Sequence, residues 1–280
     1  MSDSRYTDLD RPPLSQQALS RALVRPGSLW TALSVVDRTG STNADLAQTA
    51  RAGAPEGAVL VAETQYAGRG RLGRPWNAPP RSGLTFSVLL RPRVPVQRQG
   101  WLPLLFGVAA ASAVRRLAEL DVRLKWPNDL LVGERKLAGI LAERSDGAVV
   151  VGMGLNVSLR ADEIPVPGAT SLAIETAGRT AADHERTGGL DRDPLLRDIL
   201  REIETHYRDW CEADGDADRC GLRAAYQAIS ATIGEEIRVE LPGERLLKGT
   251  ATGVDRNGHL VVDEQHTLSA GDVVHVRAAH

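Results

Sequence analysis

Cysteine, secretory signals and long hydrophobic runs are scarce or absent in this 280-residue chain, and each scarcity excludes a class of protein. The two cysteines have no histidine or cysteine partners at metal-ligand spacing, which excludes a disulfide scaffold and a zinc module. No apolar run reaches the roughly 18 residues of a membrane span, and the N-terminus lacks the basic and apolar regions of a signal peptide. We therefore expect a cytoplasmic protein with no membrane partner.

The charges are unevenly distributed along the chain, although the formal net charge is only -2. The only lysines are Lys125, Lys136 and Lys248, so arginine supplies nearly all of the positive charge. Residues 64–118 include nine arginines but no aspartate or glutamate. The near-neutral total argues against a protein that coats nucleic acid, whereas the acid-free stretch indicates a region that meets an anion.

Short apolar runs joined by tight turns, with helical segments set apart from them, predict an α+β fold with a largely antiparallel sheet. We expect a buried helix over 104–120 and an amphipathic helix that begins at Pro194, with Asp193 as its N-cap. Repeated short strands after residue 233 predict a small barrel. These patterns divide the chain into an N-terminal extension (1–34), a larger domain (35–228) and a C-terminal domain (229–280).

The segment GRGRLGR, at residues 68–74, carries the clearest chemistry. Gly68, Gly70 and Gly73 have the G-x-G-x-x-G spacing of a dinucleotide-binding loop, but Pro75 prevents a helix from following, and the acidic residue expected about 20 positions further on is missing from this acid-free stretch. Glycines expose backbone N–H groups, arginines hold phosphate or carboxylate, and Trp76 can stack on a base. A solvated basic loop and a single-stranded nucleic-acid site would give the same pattern.

Three further motifs place polar groups at strand ends. In KWPND (125–129), a turn aims polar side chains out of the sheet edge. In KLAGIL (136–141), a lysine begins an apolar strand, and its compact ammonium suits a phosphate. In VGMGLN (151–156), the strand is followed by glycines and an asparagine that suits an adenine edge. Apart from these motifs, Ser41 is most simply the N-cap of a helix, although the polar residues at 41–43 could also contact a ligand.

Taken together and in this order, the four motifs resemble those of the biotin–protein ligases, and the resemblance covers about residues 35–280. It implies a mixed sheet like that of class II aminoacyl-tRNA synthetases and lipoate ligases, followed by an SH3-like barrel. Some members of that family carry an N-terminal DNA-binding domain. The extension at 1–34 is too short for such a domain, so we expect a catalytic-only protein that does not bind DNA.

The reaction implied by the resemblance has two steps and needs no protein nucleophile. The biotin carboxylate attacks the α-phosphate of ATP to give biotinyl-5′-AMP, and a lysine of a biotin carboxyl carrier protein domain then takes the biotinyl group. The implied cofactors are ATP, biotin and Mg²⁺, and the implied partners are biotin-dependent carboxylases. We expect a monomer or a homodimer, and we considered the KLAGIL strand as an exposed edge that pairs with a second copy.

The resemblance also assigns roles to individual residues. Lys136 and Arg71 are the candidate catalytic residues. The candidate biotin-binding residues are Ser41, Thr42, Asn43, Gln65, Gly68, Arg69, Gly70, Arg71, Lys136 and Gly139. The candidate ATP- and adenylate-binding residues are Arg69, Arg71, Arg74, Trp76, Lys125, Asn128, Asp129, Lys136 and Asn156. We assign no direct metal ligand, since Asn128 and Asp129 would meet Mg²⁺ only through water.

Two other functions fit parts of the pattern. Lipoate ligation would use the same sheet, although the C-terminal barrel and the GRGRLGR form favour biotin. A nucleic-acid-binding regulator would explain the basic loop, although the near-neutral charge and the short extension speak against it. The arginines of 91–116 have no role in either scheme. They are plain surface charge or a landing face for an acidic acceptor domain.

Overall fold

Two sheets organise the part of the chain that the computed structural model describes, which is residues 11–177, 191–241, 245–269 and 272–275. The larger sheet contains β1 (Ala32–Val36), β2 (Ala58–Ala62), β3 (Gly83–Leu90), β4 (Val122–Lys125), β5 (Asp129–Val132), β6 (Arg135–Ser145) and β7 (Ala148–Asn156). The smaller contains β8 (Glu236–Leu241), β9 (Arg245–Val254), β10 (Leu260–Val262), β11 (His266–Leu268) and β12 (Asp272–His275). The described α-helices are α1 (Gln16–Leu23), α2 (Thr42–Arg51), α3 (Leu102–Ala118), α4 (Leu172–Thr176), α5 (Arg192–Glu212) and α6 (Leu222–Ala228).

The larger sheet is mixed and largely antiparallel, so the expected α+β class is confirmed. Its strands lie in the order β1-β2-β3-β7-β6-β5-β4, and only the β1–β2 pair is parallel. The expectation that the KLAGIL strand lies at an exposed edge was wrong. That strand is β6, which pairs with β5 on one side and β7 on the other, because its apolar residues are buried inside the sheet.

Helix α3 occupies the centre of the hydrophobic core. It is buried along most of its length, and its alanines let the amphipathic helix α5 pack closely against it. The segment Val96–Ala118 is long and apolar enough to cross a membrane by composition, but 72% of its apolar window is buried inside the protein. Its apolar character is therefore explained by its place in the core.

Two element boundaries differ from the expectation. Helix α5 begins at Arg192 and not at Pro194, because the Asp191 side chain accepts a hydrogen bond from the Asp193 backbone N–H (3.0 Å) and caps the helix. Strand β7 does not end before its glycines but continues through them to Asn156. The glycines remain in the strand because Gly152 pairs in register with Ser87 and Leu141, and Gly154 with Thr85 and Gly139.

The N-terminal extension is fastened to the larger sheet by a buried ion pair. Arg192 and Glu63 lie 2.5 Å apart, and both side chains are almost completely buried. The Glu63 carboxylate also accepts the Leu14 backbone N–H (2.6 Å), and Arg192 donates to the Pro12 carbonyl (2.6 Å). Because Glu63 follows β2 directly, this contact fixes the chain just before Gln65.

The smaller sheet contacts the larger domain at the KWPND turn. Trp126 is 2% exposed, and its indole N–H donates to the Gly258 carbonyl (3.1 Å) in the turn between β9 and β10. Its backbone N–H donates to the Thr232 hydroxyl (3.0 Å). The turn that follows β4 is therefore held in place from the C-terminal side of the chain.

Candidate functional site

A single cavity of about 570 Å³ brings together nearly all of the predicted site residues. It lies on the face of the larger sheet formed by β3, β7 and β6, under the start of α2 and the arginine loop at 68–76. The predicted residues that line it are Ser41, Thr42, Asn43, Gln65, Arg69, Gly70, Arg71, Arg74, Trp76, Asn128, Asp129, Lys136, Gly139 and Asn156.

One end of the cavity is closed and polar. Ser41 caps α2 as expected, with its hydroxyl accepting from the Ala44 N–H (3.4 Å), and this places Thr42 and Asn43 at the first turn of the helix. The Gln65 side-chain oxygen accepts the Thr42 backbone N–H at 2.7 Å. Because Thr42 and Asn43 are almost fully buried, this end offers a ligand a few fixed polar groups in a dry setting.

The floor of the cavity is bare backbone at two glycines of β7. A side chain at Gly152 would overlap the Asn43 amide, and one at Gly154 would overlap the Trp76 indole. Gly139, paired with Gly154 on β6, also lies under this indole. Alternate residues of a strand point to one face, so the G-M-G spacing clears one continuous strip for side chains and ligand.

The arginine loop folds back as a short hairpin over the cavity mouth. Gly70 N–H donates to the Arg74 carbonyl (2.7 Å), and Trp76 N–H donates to the Gly68 carbonyl (2.9 Å). The tip turns through Leu72 and Gly73, both in the left-handed region, and leaves Leu72 75% exposed. Arg69 lines the cavity and makes no ion pair or hydrogen bond within the described part of the chain. The loop therefore presents a cation to the cavity.

Lys136 lies at the opposite wall, at the start of β6. Its ammonium is 2.6 Å from an Asp129 carboxylate oxygen and 5.9 Å from the centre of the Trp76 ring. Its backbone is held on both sides, since its N–H donates to the Gly168 carbonyl (2.7 Å) and its carbonyl accepts the Thr170 N–H (2.9 Å). The lysine is thereby fixed beside the carboxylate that the KWPND motif supplies.

In both asparagines predicted to bind the nucleotide, the side-chain NH₂ group donates a hydrogen bond to a backbone carbonyl. Asn128 donates from Nδ2 to the Ile140 carbonyl (2.8 Å), and the buried Asn156 donates from Nδ2 to the Thr170 carbonyl (2.8 Å). Neither amide oxygen accepts a hydrogen bond within the described part of the chain, and both residues line the cavity. An acceptor is the group that would meet the amino group of adenine.

Two predicted residues do not line the cavity. Gly68 is buried at the base of the loop, where a side chain would meet Gln65 Nε2 and the Trp76 carbonyl, each at 2.6 Å. Lys125 faces a small neighbouring hollow together with Pro127 and Tyr226. Gly68 therefore lets the loop pass Gln65 closely, and Lys125 lines a neighbouring hollow that shares Asn128 and Asp129 with the cavity.

Sequence reasoning missed several residues that shape the site. Ser87, in the largely apolar strand β3, lies behind the polar end and hydrogen-bonds to Thr42, and only the presence of a hydroxyl in a mostly apolar run could have indicated this. The segment after β7 enters the cavity because Ala169 forms a bridge with Lys136. The lining residues without a predicted role are Pro75, Asn77, Thr85, Phe86, Ile140, Leu141, Gly152, Met153, Gly154, Pro165, Val166 and Ala169.

Most of the extra arginines bind other parts of the chain, which fits plain surface charge, and the alternative of a landing face for an acceptor domain stays a prediction. Arg91 donates to the Ala50 and Ala54 carbonyls, and Arg98 donates to the Asp214 carbonyl. Arg115 pairs with Asp121, and Arg116 pairs with Asp198 and Glu202. The acid-free stretch finds its counterions elsewhere in the sequence, which the linear pattern does not reveal.

Comparison with known proteins gives one consistent result. Residues 35–159 match the model of the biotin/lipoate A/B protein ligase family, and residues 232–276 match the biotin protein ligase C-terminal domain. The chain is 44% identical to a biotin–[acetyl-CoA-carboxylase] ligase of Mycobacterium tuberculosis, over 97% of this chain and 100% of the relative. It is 30% identical to the bifunctional ligase/repressor BirA of Escherichia coli, over 80% of this chain and 67% of the relative.

Solved structures agree with the sequence matches. The biotin protein ligase of Aquifex aeolicus in complex with biotin and ATP has a TM-score of 0.69 and 29% identity, over 89% of this chain and 100% of that chain. The ligase of Leishmania major in complex with biotinyl-5-AMP has a TM-score of 0.56 and 26% identity, over 89% of this chain and 99% of that chain. This chain therefore belongs to the biotin/lipoate A/B protein ligase family, and within it to the biotin protein ligases.

Proposed function

We propose that this protein activates biotin with ATP as biotinyl-5′-AMP and transfers the biotinyl group to a lysine of a biotin carboxyl carrier protein domain. The observation that carries this proposal is the union, in one cavity, of a closed polar end and a cationic mouth. Biotin has the same two-ended character, with a polar ring system at one end and a carboxylate at the other.

The closed end suits the ring system of biotin. We expect Ser41, Thr42, Asn43 and Gln65 to hold the head group, which would lie over the bare backbone of Gly152 and Gly154. The acid chain then runs over Gly139 toward the mouth, where Arg69, Gly70 and Arg71 follow its tail. Gly68 does not contact biotin itself in this proposal, but it lets the loop pass close to Gln65.

The mouth suits the reacting phosphate. In the first step a biotin carboxylate oxygen attacks the α-phosphorus of ATP, the bond to the β-phosphate breaks, and pyrophosphate leaves. Two anions must meet, so fixed cations at the reacting atoms lower the barrier. We assign this work to Lys136 and Arg71, with Arg69 and Arg74 on the phosphates, Trp76 and Asn156 on adenine, and Asn128 and Asp129 on the nucleotide side.

In the second step the acceptor lysine amine attacks the carbonyl of the mixed anhydride. An amide bond forms, AMP leaves, and the amine proton passes to solvent or to a nearby base.

Lys125 lies outside the cavity, and we expect at most an outer role for it on the ATP phosphates.

We expect Mg²⁺ to arrive with the ATP phosphates, whose charge it neutralises. Asp129 is the carboxylate that the cavity offers, and Lys136 already pairs with it. Asp129 and Asn128 therefore suit water-mediated contacts with the ion better than direct ones.

We infer a protein of the cytoplasm that acts as a monomer or homodimer without binding DNA. Its domains are the catalytic domain (35–228) and the C-terminal SH3-like domain (229–280), preceded by the extension at 1–34. The acceptor is expected to be the carrier domain of a biotin-dependent carboxylase. The clustering of arginines and Lys136 at one mouth, opposite a polar pocket, supports a small anionic substrate and not a nucleic acid.

Competition between the two acids of the family tests this proposal. The protein is mixed with ATP, Mg²⁺, equal amounts of biotin and lipoate, and either a biotin carrier domain or a lipoyl domain. We expect the biotin carrier domain to gain one biotinyl group, as measured by intact mass. A lipoyl adduct without a biotinyl adduct would overturn the proposal.

A further inference from the structure

Four polar side chains form a continuous hydrogen-bonded chain behind the closed end of the cavity. Glu143 Oε2 accepts from Asn43 Nδ2 at 2.7 Å, and Asn43 Oδ1 lies 2.6 Å from the Ser87 hydroxyl. That hydroxyl lies 2.7 Å from the Thr42 hydroxyl. Asn43 and Thr42 line the cavity, whereas Glu143 and Ser87 do not.

The direction of the hydrogen bonds in this chain follows from the two acceptors that face the Asn43 amide, of which the Glu143 carboxylate is the nearer. An ionised carboxylate only accepts, so the Asn43 NH₂ group must face Glu143, and the Leu141 carbonyl at 3.2 Å accepts from the same group. The Asn43 oxygen then faces Ser87, whose single hydroxyl proton must be donated to it. The Ser87 oxygen is thereby left to accept the proton of Thr42.

Thr42 consequently has no proton left for a ligand. The other acceptor within reach, Gln65 Oε1 at 3.0 Å, already receives the Thr42 backbone N–H. Whichever of these two groups takes the hydroxyl proton, the Thr42 oxygen keeps a lone pair with which it can accept a hydrogen bond from a ligand. A buried acceptor rejects a ligand that brings no donor, because the acceptor is then left unpaired.

We propose that Glu143 is a positioning residue that selects a head group with N–H donors by fixing the direction of this relay. The proposal rests on the proposed function and deepens it. The cyclic urea of biotin carries N–H groups, whereas the dithiolane of lipoate carries none. Glu143 thus acts on the specificity of the reaction through Asn43, Ser87 and Thr42, without touching the substrate.

Replacing Glu143 by leucine tests the relay, with Glu143→Gln as the matched variant that keeps an acceptor. We expect Glu143→Leu to raise the Kd for biotin by about tenfold, while the KM for ATP stays unchanged. The preference for biotin over an analogue methylated on its urea nitrogen should shrink, because the Asn43 amide is then held only by the more distant Leu141 carbonyl, and Ser87 can turn its proton to the Thr42 oxygen and occupy that acceptor. Glu143→Gln should keep most of the wild-type affinity for biotin and most of the preference for biotin over the methylated analogue.

A second variant separates the relay from simple stabilisation of the fold. If Glu143 acts through Ser87, then adding Glu143→Leu to Ser87→Ala should change the biotin Kd little further, since the relay is already broken. Fully additive losses, an equal rise in the KM for ATP, or an unchanged preference between biotin and its methylated analogue would overturn the proposal. Wild-type protein that neither binds biotin nor releases pyrophosphate with it would instead overturn the proposed function.

Discussion

At the scale of the residue, the cavity relies on a lysine in a chain that otherwise uses arginine. Lys136 and Asp129 lie 2.6 Å apart and reach the cavity from neighbouring strands. The ion pair sets the ammonium at a defined place before any phosphate arrives. A planar guanidinium on the longer arginine side chain would not occupy the same position.

Replacing Lys136 by alanine should therefore stop the first step. We expect the rate of biotin-dependent pyrophosphate release to fall by about 10²–10³-fold, because one preorganised cation is lost and Asp129 is left facing the phosphates. Lys248→Ala, at an exposed position on β9, is the matched control and should release pyrophosphate normally. A Lys136→Ala variant with a near-normal rate and an intact fold would refute the catalytic role.

The two cysteines are predicted to react slowly at neutral pH, because burial raises the pKa of their thiols. Burial raises the pKa of the Cys211 thiol to about 11 and also raises that of Cys220. The thiolate is the reactive form, so both thiols are protonated and slow to react at neutral pH.

In a Cys220→Ser variant, we expect alkylation of the native protein by iodoacetamide to accelerate by about tenfold per pH unit from pH 7 toward pH 11. The same variant unfolded in urea should react faster at neutral pH and reach its plateau near the ordinary thiol pKa of about 8.5. A native sample that levels off at that lower pH would contradict the raised pKa.

At the scale of the element, strand β7 and the N-terminal extension do the most to shape the cavity. The glycines of β7 clear its floor, so that Asn43 and Trp76 lie directly on the backbone. The extension holds the end of β2 through the buried pair of Glu63 and Arg192. Gln65 follows two residues later, so this contact also helps to fix the closed polar end of the cavity.

Breaking this buried pair should cost much more stability than breaking an exposed pair on the same helix. Arg192→Met leaves the Glu63 carboxylate buried without its partner, and we expect the free energy of unfolding to fall by about 3–5 kcal/mol. Arg201→Ala, whose side chain is 52% exposed and pairs with Asp198 at 3.8 Å, should cost at most about 1 kcal/mol. Urea unfolding measures both, and equal losses would contradict the structural role of the pair.

The sequence allowed the elements to be predicted well where the pattern is local. The apolar spacing of α3 and α5 and the N-cap at Ser41 are local signals, so these helices could be predicted without knowledge of the distant contacts. The extent of β7 could not be predicted, because its glycines remain in a strand only through pairing with β3 and β6. The buried pair of Glu63 and Arg192 joins residues too distant in the sequence for a local pattern to reveal.

At the scale of the whole molecule, the C-terminal sheet and the larger domain meet at the turn that also carries Asn128 and Asp129. Trp126 contributes its indole N–H to the Gly258 carbonyl, and Gly258 packs closely against Gly100. The C-terminal sheet is therefore expected to steady the nucleotide side of the cavity. The motifs could be recognised from the sequence, but this link could not, because KWPND contains no sign of what Trp126 touches.

A substitution at Gly258 should disturb this link. Gly258 has a φ of +84°, and a side chain there would lie 2.7 Å from the Gly100 carbonyl group. We expect Gly258→Ala to lower stability by about 1–3 kcal/mol and to raise the KM for ATP more than that for biotin. Gly253→Ala, with open space around it, is the control and should change neither. Lower stability with an unchanged KM for ATP would contradict the coupling.

The formation of the adenylate tests the central claim most directly. The wild-type protein is incubated with biotin, ATP and Mg²⁺ without an acceptor, and the small molecules that remain bound after gel filtration are identified by mass. We predict bound biotinyl-5′-AMP, which disappears when a carrier domain is added and becomes a biotinyl group on its lysine. Protein that releases no pyrophosphate and retains no adenylate, or that forms only lipoyl-AMP when lipoate is supplied, would contradict the account.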